Sequence, residues 1–165
     1  MRIVRLSKTA LVAAIAFFAS LVAFGNITDY GTNWAFVRHV LSMDTIFETS
    51  TIRYRAIESP TLQTTAYLLI ITAETATAVL CWIGAARLLF ASADAAAFNR
   101  AKGFAVAGLT LGFLVWQVGF MSVGGEWFGM WMSLKWNGVP DAFRFFVTIL
   151  MVLIYVVMPD RADEP

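Results

Sequence analysis

Apolar residues in this chain gather into four long runs rather than the short periodic stretches of a soluble core. The runs cover residues 9–26, 65–88, 103–123 and 142–158. About 20 mostly apolar residues are needed to cross a bilayer as a helix, so each run predicts a transmembrane helix. The expected fold is all-α: an integral membrane four-helix bundle, one membrane domain over residues 1–165, surrounded by the lipid bilayer. Arg2, Arg5 and Lys8 ahead of the first run have the look of a signal-peptide start, but we read that run as a retained first helix.

Lys and Arg positions orient the bundle, because cationic flanks stay in the cytoplasm. With both termini inside, Arg2, Arg5, Lys8, Arg87, Arg100, Lys102 and Arg161 fall on the inner side in short flanks. Arg38, Arg53, Arg55, Lys135 and Arg144 fall outside, three of them spread along one long loop. The expected location is the bacterial inner membrane, multi-pass, with N- and C-termini cytoplasmic. Residues 27–64 and 124–141 then form long periplasmic loops, and residues 89–102 a short Ala-rich inner connection.

In the first outer loop, Thr32 or Asn33 can cap a helix in which Phe36, Val40, Met43 and Phe47 recur on one face. That spacing predicts a short amphipathic helix on the membrane surface or the bundle top. The polar stretch from Asp44 to Glu58 closes at Ser59-Pro60, a turn into the second membrane helix. In the second outer loop, Trp127, Trp131 and Trp136 stand among Phe128, Met130 and Met132. Two readings stand there: an aromatic belt at the lipid–water boundary, or a ledge over the bundle.

Composition narrows the function classes. The chain is 59% hydrophobic and 14% charged with net charge +1, so neither a soluble core nor a basic field for nucleic acid is present. Cys81 and His39 are the only residues of their kinds. One copy therefore lacks the ligands for a multi-cysteine metal site or for two histidines on one haem. No Walker loop, nucleophile elbow or dinucleotide fingerprint appears, and no cofactor, metal or catalytic residue is expected. Asp29, His39, Asp44 and Glu126 could in principle make a metal or acid/base site, but their scatter over two loops reads as polar surface; with Asn26, Trp127, Trp131, Trp136 and Asn137 they form the candidate periplasmic cap.

Glu74 lies near the middle of the second run, where an ionisable group is a functional hypothesis by default. By helical rise it sits roughly 14 Å below the outer surface, and Gln117 on the third run roughly 9 Å below it. Arg144 at the start of the fourth run can reach inward, so Glu74, Gln117 and Arg144 form a candidate intramembrane polar cluster. The cluster would bind a polar ligand or ion, or fasten the helices together. Gly108 and Gly112 make a GxxxG spacing on the third run, a candidate packing face.

Five segments carry a family likeness: Asn26-Ile27-Thr28-Asp29-Tyr30, His39 through Asp44, Glu126-Trp127-Phe128 with Trp131, Trp136-Asn137-Gly138, and Ala142-Phe143-Arg144. In this order the chain resembles the bacterial predicted small integral membrane proteins grouped as domain of unknown function family 2165. The resemblance runs from the first helix through the fourth. It implies no activity, but it places the motif residues at the periplasmic helix ends.

The leading expectation is a binding or accessory component of a larger membrane complex, partnered by other membrane proteins or by further copies of itself. The alternatives are a small transporter or channel-like component using Glu74, and a membrane redox or enzyme subunit.

Overall fold

The computed structural model describes residues 2–161. Where the first apolar run is preceded by basic residues, the helix does not wait for the run: α1 spans Arg2–Thr28, with Arg5 and Lys8 inside it. The second run is likewise extended backward, to Pro60, because proline at the first helical position needs no N–H partner; α3 spans Pro60–Phe90. The fourth helix, α6, spans Val139–Val157 and also starts on a turn containing proline. All four long helices, with Gly103–Trp127 as the third, are long and apolar enough to cross a membrane. No strand occurs among the described residues.

The connections hold more structure than their composition announces. The short Ala-rich connection carries α4, Ala95–Ala101, capped by Asp94, whose carboxylate accepts from the Ala97 N–H at 2.6 Å. In the first long loop α2 spans Tyr30–Ser42, following α1 after Asp29 alone. It therefore starts earlier than a cap at Thr32 or Asn33 would allow, and it stops at Met43, whose left-handed φ of 52° ends the turn. Phe47 lies beyond the helix and is exposed, whereas Val40 and Met43 are buried. The second long loop contains a 3-10 turn at Met130–Met132.

The third membrane helix changes character midway. α5 spans Gly103–Leu114, and from Val115 to Trp127 the same helix is wound as a π-helix, its end marked by the Phe128 N–H bonding Val123 O at 3.0 Å. π-Turns are rare, normally a single turn, and frequent at functional sites. Hydropathy carries no information about the width of a turn, so nothing in the apolar run announces it.

Around the bundle α1 packs on α3, α3 on α5, α5 on α6, and α6 returns to α1. Small residues let these backbones approach. A β-carbon on Gly84 would stand 2.5 Å from the Ala105 nitrogen, and one on Gly108 would stand 2.7 Å from Cys81 Sγ. The GxxxG face of α5 is thus turned into the bundle against α3, with Gly112 beside Thr77. Outward, Phe17, Phe24, Leu69, Met151 and Ile154 are exposed, as expected where the solvent is acyl chain rather than water.

The end holding the chain termini is tied by buried charge. Arg5, only 1% exposed, donates to the carbonyls of Ser92 at 2.7 Å and Ala93 at 3.3 Å. Lys8 and Lys102 both reach the Met158 carbonyl, at 2.6 and 2.8 Å, and both pair with Asp160 Oδ2, at 2.8 and 2.7 Å. Asn99 accepts the Asp160 N–H at 3.1 Å and donates to its carbonyl at 2.8 Å. Burial foremost holds the Lys102 ammonium below its ordinary value, with Lys8 adding to the effect. Burial alone would raise the Asp160 carboxyl, but the two lysines outweigh it and hold it below the usual carboxylate range.

Candidate functional site

At the opposite, loop end of the bundle, the helices part around a chamber of about 240 Å³. Its floor is set by α3, where Glu74 is 1% exposed. Asn26, in the last turn of α1, donates its amide to Glu74 Oε2 at 2.6 Å. Tyr67, two turns above Glu74 on α3, donates its hydroxyl to the Asn26 backbone carbonyl at 2.8 Å, so the α1 end is fixed against α3 on two counts. Asn33 of α2 lines the same chamber and donates to Asp29 O at 3.0 Å. Trp116, on the first turn of the π-helix, and Phe145 of α6 form aromatic wall, packed on one another and on Phe18.

Below Glu74 the chamber ends. Thr77, Cys81, Leu88, Ala105, Leu109 and Ile149 are buried in a continuous core. The glycine contacts of α3 with α5 leave no spare width there. The polar space therefore has a floor at the depth of Glu74 and a mouth at the loop end, beside exposed Asp141.

A second, apolar cleft of about 240 Å³ lies alongside, between α2, α3 and the π-helix. It shares Phe36, Val37, Ile70 and Phe120 with the chamber. Gly119, Val123 and Gly124 of the π-helix line it, so the widened turn contributes to both spaces. Leu69 and Val123, at its edge, are 64% and 44% exposed.

Of the three residues expected to cluster in the membrane, only Glu74 lines the chamber. Arg144 is exposed and pairs with Asp141 one turn earlier on α6. Gln117 stands on the π-helix, where its carbonyl accepts from the Ser122 hydroxyl at 3.1 Å. No hydrogen bond or ion pair joins either to Glu74 among the described residues. Depth arithmetic compares heights but not faces, and the face of α3 that carries Glu74 is turned to Asn26.

Three of the cap residues, His39, Asp44 and Trp136, meet near the end of α2. His39 Nδ1 is hydrogen-bonded to Asp44 at 2.7 Å, and the ring stacks on Trp136 with centroids 4.6 Å apart. Trp136 meets Phe36 edge-on, and Gly138 sits so close to Phe36 that a β-carbon there would stand 3.0 Å from the ring. Asn137 accepts the Val139 N–H at 3.0 Å and so shapes the entry to α6. Trp131 packs edge-on against Phe47. Trp127 lies under the Arg55 guanidinium at 4.5 Å, which also donates to its carbonyl. Asp29 occupies the N-cap of α2 without a side-chain cap bond, and Glu126 is exposed near the end of the π-helix. No group of three or more His, Cys, Asp or Glu among the described residues is placed to hold a metal ion.

Sequence reasoning did not single out Tyr67, Asp141 or Trp116 of the chamber, read Asn33 only as a candidate helix cap, and missed the pairing at the terminal end. Each depends on which faces of distant helices meet.

Compared with known proteins, residues 4–159 match the family model described as "Predicted small integral membrane protein (DUF2165)". No curated protein and no solved structure matches.

Proposed function

The chain belongs to this family of predicted small integral membrane proteins, and we propose that it works as a binding component of the bacterial inner membrane, taking a small ligand into the chamber over Glu74. The observation that carries the reading is the floor: the polar space stops at Glu74, above a buried apolar core and the glycine contacts of α3 with α5. A pathway needs continuity to the other side, so this shape favours holding a ligand over passing one. The π-helix supports the same reading, since it widens the wall where the ligand would sit.

We place the loop end in the periplasm. Support comes from the cation distribution, with Arg2, Arg87, Arg100 and Arg161 at the terminal end beside Arg5, Lys8 and Lys102. Service to a larger membrane assembly would then run through the cap of α2 and the tryptophan loop.

Native mass spectrometry of the protein released from gentle detergent tests the binding reading. Wild type is expected to carry a small-molecule adduct that Glu74→Leu loses while keeping its fold; an unliganded wild type overturns it. The same spectrum reads any stoichiometric partner. For orientation, Thr32→Cys in a Cys81→Ala background should react with an impermeant maleimide on intact spheroplasts, and protection until lysis would invert the topology.

A further inference from the structure

Within that binding reading, the two adjoining cavities differ in chemistry in a way that specifies a ligand. In the chamber, the amide and phenol donors are already committed to protein: Asn26 to Glu74, Asn33 to Asp29, and Tyr67 to the Asn26 carbonyl. The indole N–H of Trp116 is the one side-chain donor in the lining without a protein acceptor among the described residues.

Acceptors are in surplus. Glu74 uses one oxygen for Asn26, and its other oxygen has no hydrogen-bond partner among the described residues, although the residue is 1% exposed. The Asn33 side-chain oxygen is likewise without a donor among them. No Lys or Arg lines the chamber, and of its two carboxyl groups only that of Asp141 has a cation, Arg144. No buried side-chain nitrogen or oxygen among the described residues lacks a partner, so the second Glu74 oxygen opens on the chamber, where a complementary head brings donors and positive charge.

The cleft beside it asks for the opposite. Its wall is aliphatic and aromatic, and its edge at Leu69 and Val123 stands on membrane-spanning helices, open sideways to acyl chains. At about 240 Å³ each, both spaces far exceed the ~10–15 Å³ that one water needs. Phe36, Val37, Ile70 and Phe120 line both spaces, so the two adjoin along these four residues.

We propose that the two cavities take one single-chain amphiphile, its protonated primary amine against Glu74 and Asn33 and its hydrocarbon tail in the cleft along the π-helix. The head is selected by the acceptors of α1, α2 and α3, and the tail enters from the bilayer past Leu69 and Val123.

The test uses octadecylamine carrying a mid-chain diazirine, beside the same chain ended by a carboxylate or a hydroxyl, each added to the protein in lipid nanodiscs. After irradiation, labelled positions are mapped by mass spectrometry. The amine probe is expected to label cleft residues such as Leu69, Ile70 and Val123 at least tenfold more than the carboxylate probe, and Glu74→Gln should erase that difference. Gly119 lines the cleft and nothing lies within 4 Å of a β-carbon built on it, so Gly119→Leu should narrow the cleft and cut labelling while leaving Glu74 intact. Equal labelling by all three heads, or amine labelling indifferent to Glu74→Gln in a protein of unchanged helicity, overturns the proposal. A carboxylate or hydroxyl probe that labels in a Glu74-dependent way overturns the amine head and leaves the chamber reading standing. If no probe labels the cleft, the proposal fails, and native mass spectrometry decides separately whether the chamber binds anything.

Discussion

Asn26 and Glu74 are 48 residues apart in the chain, and the amide of one meets the carboxyl of the other at 2.6 Å, joining α1 to α3 inside the membrane. Asn26→Leu should destabilise the protein by about 1–3 kcal/mol, because it leaves a buried polar group without its partner. In a double-mutant cycle with Glu74→Leu, the coupling is expected near 0.6 kcal/mol and not above about 1.7, the range of membrane hydrogen bonds. Unfolding in bicelles, followed by steric trapping, measures both.

The terminal clasp should be acid-sensitive only in strong acid. Asp160 in the folded protein lies below its ordinary carboxylate value, so its contribution is complete above that value and is lost as pH falls through the lower folded one. Lys102 shifts the other way in effect: its lowered value means that folding disfavours its charge, a penalty relieved only as pH rises. Protection of the Asp160 amide against hydrogen exchange is therefore expected to be flat from pH 7 to about 5 and to fall below about 4. Asp160→Asn strands two buried ammonium groups, and should cost about 3–5 kcal/mol while abolishing that acid transition.

How much of this was open to the unfolded chain can be followed residue by residue. The four spans were legible, because hydrocarbon thickness dictates run length. Arg5 and Lys8 were read only as charged flanks, since the partners that bury them lie 87 and 152 residues away. From sequence, Asn26 reads as a cap residue and Glu74 as the partner of Gln117 and Arg144, because height in the bilayer is one coordinate and helix rotation is another. His39 and Asp44 both read as cap residues, yet the stacking of the His39 ring on Trp136 needs the second loop to fold back over α2, which no local pattern encodes.

Close packing gives a sharp contrast between two glycines. Gly84→Val places new atoms within 2.5 Å of the Ala105 backbone, and should destabilise by about 3 kcal/mol or more. Gly103→Ala meets nothing within 4 Å at the first position of α5, and should stabilise by about 0.4–1 kcal/mol. Thermal denaturation of both variants in one lipid background checks the sign of each.

Arg144 supplies the opposite expectation from its place in the family motif. Its pairing with Asp141 is exposed and lies within one helix turn, so Arg144→Ala should change stability by no more than about 0.5 kcal/mol. A larger loss in the same unfolding assay would mean that the guanidinium reaches into the bundle.

The clasp of Lys8 and Lys102 on Asp160 also orders events in time. During synthesis the first two long helices can pair as soon as both have entered the bilayer, but the two lysines have no carboxylate to share until residue 160 has been made. The cytoplasmic face, if the termini lie there as proposed, thus stays loosely shut until the fourth helix arrives. Closure of that face then reports that every helix has been inserted.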